Sequence, residues 1–342
     1  MRTRKRLFLS WFFISFIGLA IVCFINIGTP LVMRQMAQNG YWQDHKAWKA
    51  QLMQSGPAPE IVLVGSSRVM NHIDTQYFAE RGHPTFNYGV AGAMPWDFPY
   101  MVAQASRSAR STVVISIPAE TLFLPPECPS KLTWTDVQFY LREKPSCLGV
   151  WSFRNWLQIL PINGMFSEKV DPNSQIYFFP CSQENPVVAL LNERFDHDYC
   201  EDVRKVTYIR GTDKRYVFGF QNGDGVILAK QPSEGWNEQI ERLDYTGREY
   251  EPKSVAFLRH LAQIVRSNEK LPIFLIETAP IHRISIKHVV EKATGEATIY
   301  MNDIPLDPSE IADVDHVGPK GISHLTKELY DHLFPTVAHE SH

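Results

Sequence analysis

The stretch "IVLVGSSRVM", residues 61–70, decides how the chain is read. Four aliphatic residues run into Gly65, followed by two serines and Arg68. A short apolar run closed by a glycine turn reads as a fully buried strand. After it, "NHIDTQYFAERG" offers Asp74 as the N-cap of a helix reaching Arg81. A second short strand, Thr85–Tyr88, ends in "GVAGAMPWD", and a helix is expected from about Pro95 to Ala109. "STVVISIP", residues 111–118, reads as a third strand. Strands that are apolar almost throughout, alternating with helices, predict an α/β fold: a parallel sheet with helices on both faces in three layers.

The alternation stops near residue 120 and resumes near 250. Between them lie many aromatics and short β-like runs, including "YVFGFQNGDGVILAK", residues 216–230, read as a hairpin turning at Asn222–Gly225. The EF-hand ligand series is missing from that turn, so no calcium loop is assigned there. Residues 251–270 then form an amphipathic helix pattern, 271–280 a buried strand, "ATIYMND" a weaker strand, and "GPKGISHLTKELYDHLF" a final helix. The resumption favours one α/β domain over residues 59–342, with an insertion at about 120–250, over two separate domains.

The N-terminus is of another character. Arg2, Arg4, Lys5 and Arg6 precede an uncharged run from Leu7 to Ile27. Such a run, taken as a helix, spans roughly 30 Å, the thickness of a hydrocarbon core. No small-x-small cleavage site follows it, so it reads as an uncleaved transmembrane signal anchor. The basic residues before the run place the arm 1–6 in the cytoplasm and everything after about residue 30 outside. A polar stalk over 28–58, closed by Gly56, Pro57 and Pro59, leads into the domain. The chain is therefore expected at the inner membrane, single-pass, with its C-terminal domain periplasmic or extracellular. The net charge is −3, and without the basic arm the remainder is more acidic still. That excludes a nucleic-acid footprint. The exported part holds four cysteines, Cys128, Cys147, Cys181 and Cys200, in an oxidising compartment. Their spacing favours local disulfides Cys128–Cys147 and Cys181–Cys200 among three possible connectivities. No C-x2-C or His-rich spacing supports zinc.

Ligands of a doubly wound sheet collect at the carboxyl ends of its strands, and three motifs fall there. In Gly65-Ser66-Ser67-Arg68 a serine at a strand-to-helix turn can present its hydroxyl and its own N–H to the same space. In "NYGVAGA", residues 87–93, two glycines let backbone N–H groups approach a ligand. In "ADVDHVGPKG", residues 312–321, Asp313 and His316 stand three apart, so the carboxylate can orient the imidazole; Asp315 competes for the same ring. Arg68 either binds an anionic substrate group or forms a structural salt bridge. His72 and His282 fall near strand ends, and His282 follows "ETAP" in a loop expected to face the site.

Taken together, G-S-S-R after the first strand, N-Y-G-V-A-G after the second and D-V-D-H-V-G-P-K-G before the last helix resemble the SGNH/GDSL hydrolase-like superfamily. The nearest branch is its membrane-anchored group that modifies envelope polysaccharides, as in alginate O-acetylation and teichoic-acid D-alanyl transfer. The resemblance covers residues 60–118 and 270–334. It implies a flavodoxin-like three-layer domain, Ser67 as nucleophile, His316 as general base, Asp313 as orienting acid, and the N–H groups of Ser67 and Gly92 as oxyanion donors. It implies a polysaccharide or glycopolymer acceptor and a multi-span membrane-bound O-acyltransferase partner, with no metal or cofactor. Two departures stand out. Ser66 replaces the usual aspartate, and "ISIPAET" after the third strand lacks the superfamily's oxyanion-donating asparagine; Glu120 lies near that place. The expected function is a serine acyltransferase or esterase. The alternative is a non-catalytic polysaccharide-binding or assembly component of an envelope acylation complex.

Overall fold

The computed structural model describes residues 15–18, 20, 45–126, 139, 176–177, 206–212, 215–220, 222–229, 241–244, 249–280, 282–286, 289–312 and 315–335. Two compact units divide the chain, 1–44 with 132–169 and 45–131 with 170–342. In the first, residues 15–18 and 20 of the apolar run are helical, with Phe16 and Ile17 exposed. No helix among the described residues is long and apolar enough to cross a membrane. Most of the run 7–27 lies outside the described residues, as do Cys128, Cys147, Cys181, Cys200 and Asp313.

The second unit carries the α/β fold. Its strands β1 (Ile61–Gly65), β2 (Thr85–Gly89) and β3 (Thr112–Ile117) sit close to their expected places. So do β9 (Leu271–Ile276) and β11 (Thr298–Tyr300). All five are parallel, in the order β11-β9-β3-β1-β2. Numbered within this sheet alone, the order is 2-1-3-4-5, a doubly wound arrangement whose switch point lies between β1 and β3.

The helices described around it are α1 (His45–Ser55), α2 (Ser67–His72), α3 (Thr75–Glu80), α4 (Phe98–Ser108), α5 (Pro252–Arg266), α6 (Val289–Thr294) and α7 (Pro319–Leu333). Asp74 caps α3 as expected, its carboxylate accepting from Gln76 N. Side chains alternate across a strand, and the core divides accordingly. On one face Ile61, Leu63, Val114, Leu275 and Ile299 join Val69, Phe78, Ile322, Leu325 and Leu329 of α2, α3 and α7 in one buried cluster. The other face presents Val62, Val64, Val113, Ile115 and Phe274, all buried, on the side where α4 and α5 pack. α1, within the segment read as a stalk, packs against α4 and β2 and buries Ala50 and Met53.

The insertion contributes a second sheet, β4 (Ile176–Tyr177), β5 (Val206–Thr212), β6 (Arg215–Phe220) and β7 (Gly225–Ala229), antiparallel throughout. A short parallel pair joins β8 (Glu241–Asp244) to β10 (His282–Ser285). The expected hairpin is the β6–β7 pair, and its turn plugs into the carboxyl end of β2. Asn87 N donates to Asn222 O at 2.9 Å. Asp224 is buried, and its carboxylate accepts from Thr75 N and Oγ1, Asn87 Nδ2 and Asn222 Nδ2. Beside it Lys49 of α1 is buried, its Nζ donating to the carbonyls of Asn87, Gly89 and Gly223. Three acceptors match the three donors of an ammonium group, and four donors match an ionised carboxylate. Burial works against both charges: it pushes Lys49 down to about 7, with the charge of Asp224 opposing, and pushes Asp224 up to about 8, with Asp74 adding to the shift.

Lys49→Met leaves three buried carbonyls without their shared donor. We expect a loss of about 1–3 kcal/mol in denaturant unfolding, the range for leaving buried polar groups unsatisfied. Gly223, at φ +89°, has no room for a Cβ against the Asn87 carbonyl, so Gly223→Ala should also lower stability. Wild-type stability in Lys49→Met would show that the plug carries no such energy.

Candidate active site

On the α2 and α7 face, the apolar rows change character as they reach the carboxyl end of the sheet. Ile61 and Leu63 lead to Gly65, Val114 to Ser116, and Ile273 and Leu275 to Glu277. At the carboxyl ends of these three neighbouring strands the apolar rows therefore give way to a glycine, a serine and a glutamate beside the switch point.

β1 stops at Gly65 because the chain turns into α2. Ser66 is the N-cap: its Oγ accepts from Arg68 N at 3.1 Å and donates to Glu277 Oε1 at 3.1 Å. Ser67 is the first residue of α2, and its Oγ lies 3.0 Å from His316 Nε2. The two residues are 249 positions apart in sequence. The β2 turn closes the near side, with Val90 N donating to Gly65 O at 2.9 Å. A Cβ on Gly89 would stand 2.5 Å from Met70 N and 2.8 Å from Ser66 O, so this approach requires glycine. Gly92 lies exposed in the same turn, at φ +68°.

His316 sits in a loop leading into α7. Ile311 bridges to Val317, Ala312 N donates to His316 O at 2.9 Å, and Gly318 N donates to Glu310 O at 2.6 Å. Val317 N donates to His72 Nε2 at 3.3 Å. The His72 ring is buried and stands edge-on to His316, with centroids 5.9 Å apart. Asp315, the rival for the imidazole, pairs its carboxylate with Arg68 Nη2 at 3.1 Å.

Arg68 also reaches Glu277, Nη1 to Oε2 at 3.5 Å. Its side chain is 17% exposed, so the guanidinium is held within the protein in an ion pair, the structural alternative of the sequence reading. Burial opposes its charge, but the carboxylates of Glu277 and Asp315 outweigh that, and Arg68 holds its proton more tightly than usual. Sequence reasoning missed Glu277. It is buried, and accepts from Ser66 Oγ and Ser116 Oγ at 3.1 Å each. Burial raises its pKa, while Arg68 and the two serine hydroxyls work against the rise. A small cavity lies next to it, lined among others by Arg68, His72, Ser116, Glu277 and Thr278.

The structure thus brings together Ser67, His316 and Arg68, and sets the start of the β2 turn, Gly89 and Val90, against Gly65 and Ser66. Asn87 has a structural role, its Nδ2 donating to Val69 O and Asp224 Oδ1. His282 opens β10, its main chain paired with Glu241. Glu120 lies in a short 3-10 turn after β3, Ala119–Phe123, and its charge acts on both Arg68 and Glu277. Glu277 and Ser116 carried a faint signal, since both continue a period-2 apolar row with a polar residue at a strand's carboxyl end. Comparison with family models, curated proteins and solved structures finds no match to this chain.

Because the folded Glu277 carboxyl keeps its proton to higher pH than the ordinary 4.5, its stabilising contribution is complete below that value. It is lost as pH rises through the folded pKa. Glu277→Gln should therefore show a flatter dependence of urea midpoint on pH, from 4.5 upward, than wild type. Parallel curves for the two proteins would remove Glu277 as the titrating group.

Proposed function

We propose that the chain is a membrane-anchored, extracytoplasmic serine acyltransferase or esterase with an SGNH-hydrolase-like domain, acting on O-acyl groups of an envelope or exported polysaccharide. The single observation that carries this reading is the 3.0 Å contact of Ser67 Oγ with His316 Nε2 at the switch point of the sheet. That is hydrogen-bond reach for a nucleophile and its base.

In the proposed reaction His316 Nε2 takes the Ser67 hydroxyl proton as Oγ bonds to the acyl carbon. The tetrahedral oxyanion forms against the N–H groups of Ser67 and Gly92. Collapse breaks the bond to the leaving oxygen, which receives the proton from His316, and leaves an ester on Ser67. A sugar hydroxyl or water then attacks that ester with His316 again as base, and Oγ takes the proton back. By the resemblance Asp313 orients His316. Membrane anchoring favours the transferase, because acyl donors made in the cytoplasm must cross the membrane. A multi-span O-acyltransferase held nearby would deliver them at high effective concentration.

A non-catalytic assembly role draws on Ile117 and Pro118, which stand at the end of β3 where the superfamily supplies an asparagine donor. One missing oxyanion donor costs about 10²–10³-fold in rate, so the two readings separate by measurement. A fluorophosphonate should label the wild-type chain on Ser67. Ser67→Ala and His316→Ala should lower hydrolysis of an aryl acetate, or glycan acylation in cells, by at least about 10³-fold. An unlabelled wild type, with acylation unchanged in Ser67→Ala cells, would sink the catalytic reading in favour of the assembly role.

A further inference from the structure

Helix α2 holds three successive residues of the loop that carries His316. Arg68 Nη2 donates to Asp315 Oδ1 at 3.1 Å, Ser67 Oγ meets His316 Nε2 at 3.0 Å, and Val317 N donates to His72 Nε2 at 3.3 Å. Arg68 and His72 are four residues apart, about one helical turn, and so lie on the same side of α2. We infer that Arg68 and His72 are positioning residues, which grip the chain on either side of His316 and so hold its Nε2 on the Ser67 hydroxyl. This rests on the reading of Ser67 and His316 as an acting pair.

Other contacts of the loop act differently. The Ile311–Val317 bridge and the bonds from Ala312 N and Gly318 N close the loop on itself without reaching α2. The Val317 side chain is buried in the apolar cluster, which sets the depth of the loop. Rotation about that anchor would carry His316 away from Ser67, and the two polar grips resist it from opposite sides. The chemistry of each grip is specific. A peptide N–H can only donate, so His72 Nε2 must accept, and a neutral His72 ring then carries its proton on Nδ1. Arg68 is held from behind by buried Glu277, which turns a flexible side chain into a fixed strut toward Asp315.

A misplacement of about 1 Å between reacting groups can cost about 10²-fold in rate. The test is the rate of fluorophosphonate labelling of the full chain in detergent, resolved into a maximal rate and a half-saturating concentration. His72→Leu should lower the maximal rate ~10- to 100-fold and leave the half-saturating concentration near wild type. His72→Gln, whose amide oxygen can accept from Val317 N, should recover most of that loss. Asp315→Ala releases the other grip without exposing Glu277 and should also lower the maximal rate. In a His316→Ala background, His72→Leu should cause no further loss, because the group it positions is gone.

If wild-type labelling is absent, or insensitive to Ser67→Ala and His316→Ala, the site reading itself fails. If those two variants abolish labelling while folded His72→Leu keeps the wild-type maximal rate, only the positioning inference fails. It also fails if glutamine does not rescue, or if the half-saturating concentration changes in place of the rate. Should His72→Leu not fold, an unchanged maximal rate in Asp315→Ala overturns it.

Discussion

A carboxylate taken out of water must find hydrogen-bond donors or a counter-charge, and around Glu277 that requirement organises the site. Its partners are Ser66 at the end of β1, Ser116 on β3 and Arg68 on α2. Three strand ends and one helix are thereby tied to a single group. Ser67 lies between two of those partners, Ser66 and Arg68, so the main chain on both sides of it is pinned. The Ser66 hydroxyl serves twice, as the cap of α2 and as a donor to Glu277. The small residue just before Ser67 therefore coincides with a carboxylate arriving from another strand.

A second buried polar node lies at the neighbouring strand end. Lys49 and Asp224 come from outside the sheet, one from α1 and one from the insertion, and both close on the carboxyl end of β2. Asn87 stands at the junction, bonded to the Val69 carbonyl of α2 and to Asp224. The hairpin turn is thus a structural part of the α/β unit and backs the β2 end from which the turn with Gly92 departs. Polar nodes of this kind add specificity only when every member is matched. Here the donors and acceptors at Lys49 Nζ and the Asp224 carboxylate match in number.

Much of the sheet was legible in the sequence because buried parallel strands are apolar on both faces and short. Ile61–Val64, 111–118 and 271–280 announced themselves that way, and Asp74 marked the start of α3. The hairpin turn was equally clear, but its destination was not, since nothing local in Asn222–Gly225 says that Asp224 will be buried against Thr75. The site was legible in part. Ser67 and His316 emerged from motif spacing and resemblance. Glu277 did not, because a glutamate after a strand usually marks the start of a loop.

The sequence by itself determined the strands of the parallel sheet, the turn after Gly65, the charge asymmetry of the N-terminus, and the placement of a serine after the first strand and a histidine before the last helix. These are properties of near neighbours along the chain, carried by periodicity, capping and composition. Only the tertiary structure decided that Arg68 is held by two carboxylates, that His72 meets the chain beside His316, and that Ser66, Ser116 and Glu277 share one buried charge. The physical reason is strand order. Which carboxyl ends lie side by side depends on how the crossovers pack on the two faces of the sheet, and that information is spread over the whole core rather than written at the residues that meet.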